Sequence, residues 1–508
     1  MQINVLEYFQ QGALAKCPGK VAVVDHERRY TFAELADFAK NCAALIVQRT
    51  AEFNRPIAVF LPKGTATIIA DLGILYSGNC YGNLDVKSPP ERLKAILQNL
   101  DATLVITSAA QAPVLLGLGI PETQLLLVES GMAAELAYTD AALAARWNLV
   151  IDTDPLCIIH TSGSTGIPKG VALNHRGTID FMDWVFQRLG LDGGEVIGSL
   201  SPFYFDIYTL ELYLCLAKGA TLVIIPDQCA AFPAKLLDFM VAQAVSFIFW
   251  VPTIMVNVAN QDLLAKWTLA SLRKILFAGE VFPTRHLNYW RRHLPSALFV
   301  NLYGPIEISV DCTYFVVDRE LADDEKLPIG FPCRNTDILI LNEQNQPVQG
   351  EEPGELCVRG SSLALGYWNN PERTAQAFVQ NPLNRHYPEL IYRTGDLVNR
   401  NPRGEIMFLG RKDFQIKHLG YRIEMGEIEH AVLQVPGVRN VCVVYQPERK
   451  EIILFFESDQ ELTAGAIRER LGAFIPKYML PTVFHRLEQL PRNPNGKIDR
   501  QNLLARVA

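Results

Sequence analysis

The amino-acid sequence predicts an α/β protein: a large N-terminal domain of β-sheets flanked by helices with a β-rich subdomain attached, and a small α+β C-terminal domain. Three observations carry this expectation. A chain of 508 residues is too long for one hydrophobic core. Over its first half, strand-like apolar runs alternate with helical stretches, the rhythm of parallel sheets covered by helices. Near Lys412 and Asp413 the sequence turns charged and compact, so the domains are expected at 1–412 and 413–508.

Taken in order, RYTFAEL (29–35) offers Thr31 as a helix cap with Glu34 three residues on, the pattern of a capping box. IAVFLPKG (57–64) and ATLVIT (102–107) read as strands, with a helix through TATIIADLGILYSG (65–78) between them. GNCYGNLDVKSPPERL (78–93) reads as a Gly-rich turn ending in Asp85. SPFYFDIYTLELYLCLAKGATLVII (201–225) is an aromatic segment leading into an apolar helix and then a strand, and FIFWVPT (247–253) and KILFAGEVFP (274–283) are two more strand-and-turn units. GELCVRG (354–360) begins the β-rich part. Beyond GRKDFQIKHLGYRIEMGEIE (410–429), which ends in a helix, VRNVCVVY (438–445) and EIILFFE (451–457) read as strands and AIRERLGAFI (466–475) as a helix.

Bulk properties exclude several classes. With 47 basic against 54 acidic residues, a net charge of −7 and no long run of either sign, the chain offers no surface for nucleic acid or an anionic membrane. The start, MQINVLEYFQQ, lacks a basic segment followed by an apolar one, and no apolar run reaches membrane-spanning length. A cytoplasmic location is expected. The ten cysteines show no CxxC and no Cys/His ligand spacing, so they are expected as small buried hydrophobes.

Two features point to chemistry. IIHTSGSTGIPKG (158–170) sets Thr161, Ser162, Ser164 and Thr165 hydroxyls, Gly163 and Gly166, and Lys169 in one turn-prone loop between two apolar strands, a composition suited to phosphate. It is not a Walker A loop, because Pro168 precedes the lysine and Gly170 follows it. As residues alone, such a cluster also reads as a flexible surface loop. The second feature is Asp206 between Phe205 and Ile207, a carboxylate that is costly to bury unless it meets a cation and that otherwise reads as a helix cap.

The loop, together with YGPIE (303–307), YRTGD (392–396), GRKDFQIK (410–417) and PNGKIDR (494–500) in that order, resembles the adenylate-forming enzymes. These include acyl-CoA ligases, luciferases and the adenylation domains of nonribosomal peptide synthetases. The resemblance covers nearly the whole chain and implies two half-reactions: a carboxylate and ATP give an acyl-adenylate and pyrophosphate, and a thiol then takes the acyl group. It implies that residues 161–169 hold the β- and γ-phosphates, that Glu307 ligates Mg²⁺, and that Tyr303 stacks on adenine with Asn301 as hydrogen-bond partner. Gly279 and Glu280 would wall the base, Gly304 and Phe408 would join the nucleotide set, and Asp396 and Arg411 would hold the ribose hydroxyls. Lys497, in a turn that otherwise reads as solvated surface, would bridge the substrate carboxylate and the phosphate. Asp413 would be the hinge of a mobile C-terminal domain that exchanges this lysine for a face including Gly420. One residue departs from the pattern: Ile306 stands where a Thr is usual, so a phosphate or metal-shell contact is missing or moved to Ser309.

By the same resemblance, Asp206 matches the residue that holds the α-ammonium in amino-acid-activating members. The remaining pocket positions would be Ile207, Leu210, Phe249, Leu276, Ala278, Leu302, Val310 and Asp311. All but Asp311 are apolar, so a small aliphatic side chain is expected. The set resembles that of stand-alone proline-activating enzymes of pyrrole and anatoxin-type pathways. With no carrier domain after Arg500, the acceptor is expected to be the phosphopantetheine arm of a separate carrier protein. An acyl-CoA ligase of the same fold and a catalytically silent ATP-binding scaffold are the alternatives.

Overall fold

The structure, a computed structural model, describes residues 2–26, 28–133, 140–163, 168–413, 415–492 and 498–507, with the side chains of 131–133 outside that description. The chain forms two compact units. The larger comprises Met1–Leu84, Leu100–Ile159 and Val171–Lys412; the smaller comprises Asp85–Asn99, His160–Gly170 and Asp413–Ala508. A division at a single point, as expected from the sequence, leaves the two short excursions 85–99 and 160–170 in the larger part.

The larger unit has the expected sheets flanked by helices. In the nine-stranded sheet the order is Phe331–Pro332, Thr313–Val316, Leu298–Tyr303, Lys274–Phe277, Phe247–Trp250, Val196–Ser199, Thr221–Ile224, Val21–Asp25, Arg28–Thr31. From Leu298–Tyr303 to Val21–Asp25 the neighbours run parallel, and the flanking pairs at both edges are antiparallel. A seven-stranded sheet is built around Pro56–Phe60, Cys80–Asn83 and Val105–Thr107. The β-rich part is a five-stranded sheet of Thr336–Leu341, Gly354–Gly360, Leu390–Arg400, Phe378–Gln380 and Ile406–Arg411.

Local sequence explains the element ends. Thr31 caps helix Phe32–Arg49: its Oγ1 accepts the Glu34 N–H at 3.2 Å, and Glu34 Oε2 accepts the Thr31 N–H at 2.8 Å, the reciprocal pair expected. Helix Ile207–Lys218 stops at Gly219, whose φ of 81° is left-handed and open to glycine. The expected turn at 78–85 is corrected, since Cys80–Asn83 is a buried strand. Packing at Gly82 in that strand is tight: a Cβ there would approach the end of the Leu100 side chain to 3.0 Å.

Alternation along the parallel strands of the nine-stranded sheet divides the core in two. Phe247, Phe249, Leu276, Val300 and Leu302 join one apolar cluster, whereas Ile248, Trp250, Ile275, Phe277 and Phe299 join another. Nine of the ten cysteines are buried. No described helix is long and apolar enough to cross a membrane.

The smaller unit contains the hairpin Gln415–His418 and Tyr421–Glu424, whose turn residues Leu419 and Gly420 both have positive φ, at 54° and 83°. Helix Met425–Leu433 follows. Strands Val438–Gln446 and Glu451–Ser458 pair antiparallel, and Val483–Arg486 joins the latter in parallel after helix Ala464–Leu471. Ile428, Val432, Val443, Leu454, Ile467 and Leu471 make its fully buried core.

Candidate active site

Among the proposed pocket positions of the larger unit, Phe249, Leu276 and Leu302 share one side of the nine-stranded sheet. Phe249 and Leu276 are direct cross-strand neighbours, and Leu276 pairs in turn with Val300. Ile207, Leu210, Phe249, Leu276, Ala278, Leu302 and Val310 all belong to one apolar cluster, and none is more than 6 % exposed. Phe249, Ala278 and Leu302 sit at or just beyond the carboxyl ends of parallel strands, where open α/β sheets bind ligands. Asp311 is buried too, at 2 %.

Asp206 heads helix Ile207–Lys218 with helical dihedrals (φ −68°, ψ −25°), and its side chain makes no capping hydrogen bond. A cap residue takes extended dihedrals and accepts from the next turn's N–H groups, so the cap reading of this carboxylate fails.

A second group surrounds Tyr303. Its hydroxyl donates to Asp396 Oδ2, and the Arg411 guanidinium pairs with Asp396 Oδ1. Asp396 and Arg411 face each other across antiparallel strands, and the Thr394 hydroxyl accepts the Asp396 N–H at 3.0 Å. Burial, then the neighbouring Asp396 charge, pushes the Tyr303 phenol well up, so it stays a donor. Each Asp396 oxygen keeps a lone pair for a further donor such as a diol. The Phe408 ring lies 6.4 Å from that of Tyr303. Asn301 Nδ2 donates to the Pro328 carbonyl at 2.7 Å, which fixes the amide. Gly304 has no room for a side chain, because a Cβ would come within 2.5 Å of the Asp311 Cα. Gly279 has φ 94°, and the Glu280 carboxylate accepts from the Thr253 N–H at 3.2 Å and from its hydroxyl.

Glu307 is fully buried, with Oε1 accepting from the Tyr367 hydroxyl at 2.8 Å. Ile306 packs into the apolar cluster at 7 % exposure. Ser309 is fully buried with no hydrogen-bond partner for Oγ among the described residues.

In the smaller unit, the Gly163 N–H donates to Glu427 Oε2 at 3.2 Å and Ser162 Oγ to the Arg422 carbonyl at 2.8 Å. Glu427 also pairs with Arg92, and both are buried. Burial raises the Glu427 carboxyl, while Arg92 opposes the shift. The Gly163 N–H thus meets a carboxyl group, the kind of acceptor a phosphate oxygen would also provide. Thr161 Oγ1 has no partner among the described residues, and Lys169 is 5 % exposed. Asp413 Oδ1 accepts the Gln415 N–H at 3.2 Å. Ser164, Thr165, Gly166 and Lys497 lie outside the described residues.

Sequence reasoning missed two groups. Asp71, in helix Thr65–Tyr76, is fully buried and accepts from the Tyr208 hydroxyl at 2.8 Å and from Asn83 Nδ2 at 3.1 Å. The signal that exposed Asp206, a lone carboxylate in an apolar run, is present in TATIIADLGILY as well. The Arg92–Glu427 pair joins residues 335 apart in sequence, and no local pattern announces it.

Residues 9–368 match the AMP-binding enzyme family, and residues 427–497 match the AMP-binding enzyme C-terminal domain. The chain is 31 % identical over 98 % of its length to tyrocidine synthase 1 of Brevibacillus parabrevis, of which it spans only 45 %. It is 32 % identical to the D-alanine–D-alanyl carrier protein ligase of Lacticaseibacillus paracasei, with 99 % of each chain covered. In fold it is similar to the adenylation domain AlmE of Vibrio cholerae, solved with glycyl-adenosine-5'-phosphate, with a TM-score of 0.83, 22 % identity, and 100 % and 98 % of the two chains covered. With a family match running through most of the larger unit and a second one in the smaller, the chain belongs to the AMP-binding enzymes.

Proposed function

We propose that the chain activates a small aliphatic amino acid, with L-proline the first candidate, using ATP and Mg²⁺, and passes the aminoacyl group to the phosphopantetheine thiol of a separate carrier protein. The observation that carries this reading is Asp206, which heads its helix without capping it, together with seven other proposed pocket positions that are apolar side chains of one cluster. A carboxylate at the head of such an apolar set is the kind of group that would receive an α-ammonium. The name of the similar D-alanine–D-alanyl carrier protein ligase supports a carrier protein as acceptor.

The chemistry brings anions together, because the substrate carboxylate attacks the α-phosphate, and it therefore needs N–H donors and positive charge. Residues 161–169 would hold the β- and γ-phosphates. Tyr303, Asn301, Gly304, Phe408, Gly279 and Glu280 would hold adenine, and Asp396 with Arg411 the ribose. Glu307 would hold Mg²⁺, which takes oxygen ligands and few protein carboxylates and would screen the phosphate charge. Its bond to Tyr367 supports a fixed ligand orientation. Ile306 removes a hydroxyl, and the unpartnered Ser309 Oγ is the candidate replacement. Lys497 would bridge substrate carboxylate and α-phosphate during adenylation, with Asp413 as the hinge of the smaller domain.

Two measurements test the reading. In a pyrophosphate-exchange screen, L-proline is expected to be fastest, with glycine, alanine, valine and pipecolate slower by roughly 10–200-fold, the discrimination an apolar pocket supplies. Equal or faster exchange with a basic, acidic or large aromatic amino acid overturns the substrate, and transfer to free coenzyme A but to no pantetheinylated carrier overturns the acceptor. Asp206→Ala is expected to lose about 3–5 kcal/mol, roughly 10²–10⁴-fold in kcat/KM for the amino acid, with ATP binding kept. A near-normal value would make Asp206 structural.

A further inference from the structure

Asp206 lies in a segment held from both sides by a buried network that no part of the adenylation chemistry above uses. Three residues before it, the Phe203 carbonyl accepts from Asn83 Nδ2 at 3.2 Å. Two residues after it, the Tyr208 hydroxyl donates to Asp71 Oδ2 at 2.8 Å. The same Asn83 amide donates to the same Asp71 oxygen at 3.1 Å, and the rings of Phe203 and Tyr208 stack 4.1 Å apart at 19°. Asp71, Tyr208, Phe203 and Asn83 thus close a ring of contacts around the segment that carries Asp206.

We propose that Asp71 is a positioning residue for amino-acid recognition: it tethers both flanks of residues 203–208 so that Asp206 presents its carboxylate to the substrate ammonium. This rests on the amino-acid reading of Asp206.

A carboxylate is a costly choice for a purely structural acceptor, since a neutral amide would take the same two bonds at less desolvation. Asp71 is fully buried and its Oδ1 has no partner among the described residues, nor does the Asn83 Oδ1.

The test compares wild type, Asp71→Asn, Tyr208→Phe and Asp206→Ala in pyrophosphate exchange with L-proline and with cyclopentanecarboxylic acid, which keeps the ring and carboxylate but lacks the ammonium. Asp71→Asn puts a weaker amide acceptor in place of the carboxyl and loosens both tethers; Tyr208→Phe keeps Asp71 and removes one of them. Each is expected to raise the KM for L-proline about tenfold, to leave the KM for ATP unchanged, and to lower the preference for L-proline over the ammonium-free acid by a similar factor. Equal losses on both acids, or a parallel rise in the KM for ATP, would make Asp71 a fold element and overturn the inference, as would no change in either variant. If Asp71→Asn does not fold, Tyr208→Phe decides. Should Asp206→Ala collapse the preference while both other variants keep it, this inference alone fails; should Asp206→Ala keep it, the amino-acid reading fails first.

Discussion

Glu211 and Asp71 are ionisable groups that the core holds against their charged forms. Burial pushes the Glu211 carboxyl up to about 8, against the Ser199 hydroxyl at 2.5 Å and the Lys63 charge, which lower it. Burial likewise takes Asp71 up to about 7, opposed by Asn83 and Tyr208. Both values lie above those of an unfolded chain, so the folded state holds protons that the unfolded state releases from about pH 4 upward. The stabilisation is therefore full below pH 4 and is lost as pH rises through 7 to 8, at up to about 1.4 kcal/mol per pH unit for each group. Glu211→Gln, which keeps an acceptor for Ser199, is expected to match wild type in urea midpoint near pH 4 and to exceed it at pH 8. A constant offset between the two proteins at all pH values would refute the assignment. Asp206 is legible in the sequence because it interrupts an aromatic and apolar run. Asp71 interrupts a run of the same kind, but its meaning depends on Tyr208 and Asn83, which only the folded chain brings to it.

At the level of elements, the legible features are those with a local cause. The capping box at Thr31 and Glu34, the strand Gly354–Gly360 and the helix beginning after Thr463 follow from side chains within four residues of one another. Strand Cys80–Asn83 reads as a turn in sequence because glycine and asparagine favour turns, yet in the fold it is extended and buried, with Gly82 packed tightly against Leu100. Helices Pro90–Leu100 and Met425–Leu433 provide the opposite case, since Arg92 and Glu427 are ordinary charged residues in sequence and a buried ion pair in the fold. Desolvating two charges offsets most of their attraction, so such a pair contributes little net stability, yet losing one partner strands the other. Arg92→Met is therefore expected to destabilise the smaller unit by about 3–5 kcal/mol, and Arg92→Met/Glu427→Leu to recover most of that loss. Hydrogen exchange of strands Val438–Gln446 and Glu451–Ser458 reads the effect; equal protection in the single and double variants would rule out an energetic role for the pair.

Across the whole molecule, the α/β class, the β-rich part and the small α+β part are all legible, because hydrophobic periodicity reports elements one at a time. Membership of residues 85–99 and 160–170 in the smaller unit is not, because it is set by contacts between distant segments. The family resemblance supplies the roles that composition could not, above all that of Lys497, whose turn reads as ordinary surface. If its ammonium bridges the substrate carboxylate and the α-phosphate, it stabilises charge that develops only while the adenylate forms. Removing one such preorganised donor costs on the order of 10²–10³ in rate, so Lys497→Ala is expected to slow pyrophosphate exchange by that factor. The same variant, given chemically prepared aminoacyl-adenylate, is expected to load the carrier protein at close to the wild-type rate. Asp413→Pro acts on the other step: proline fixes φ and removes an N–H where the last segment of the smaller unit begins, so transfer is expected to suffer more than adenylation. Measured separately, the two half-reactions should thus show opposite patterns in the two variants. Equal loss of both in Lys497→Ala would make the lysine a stability element and leave the smaller unit without a step-specific role.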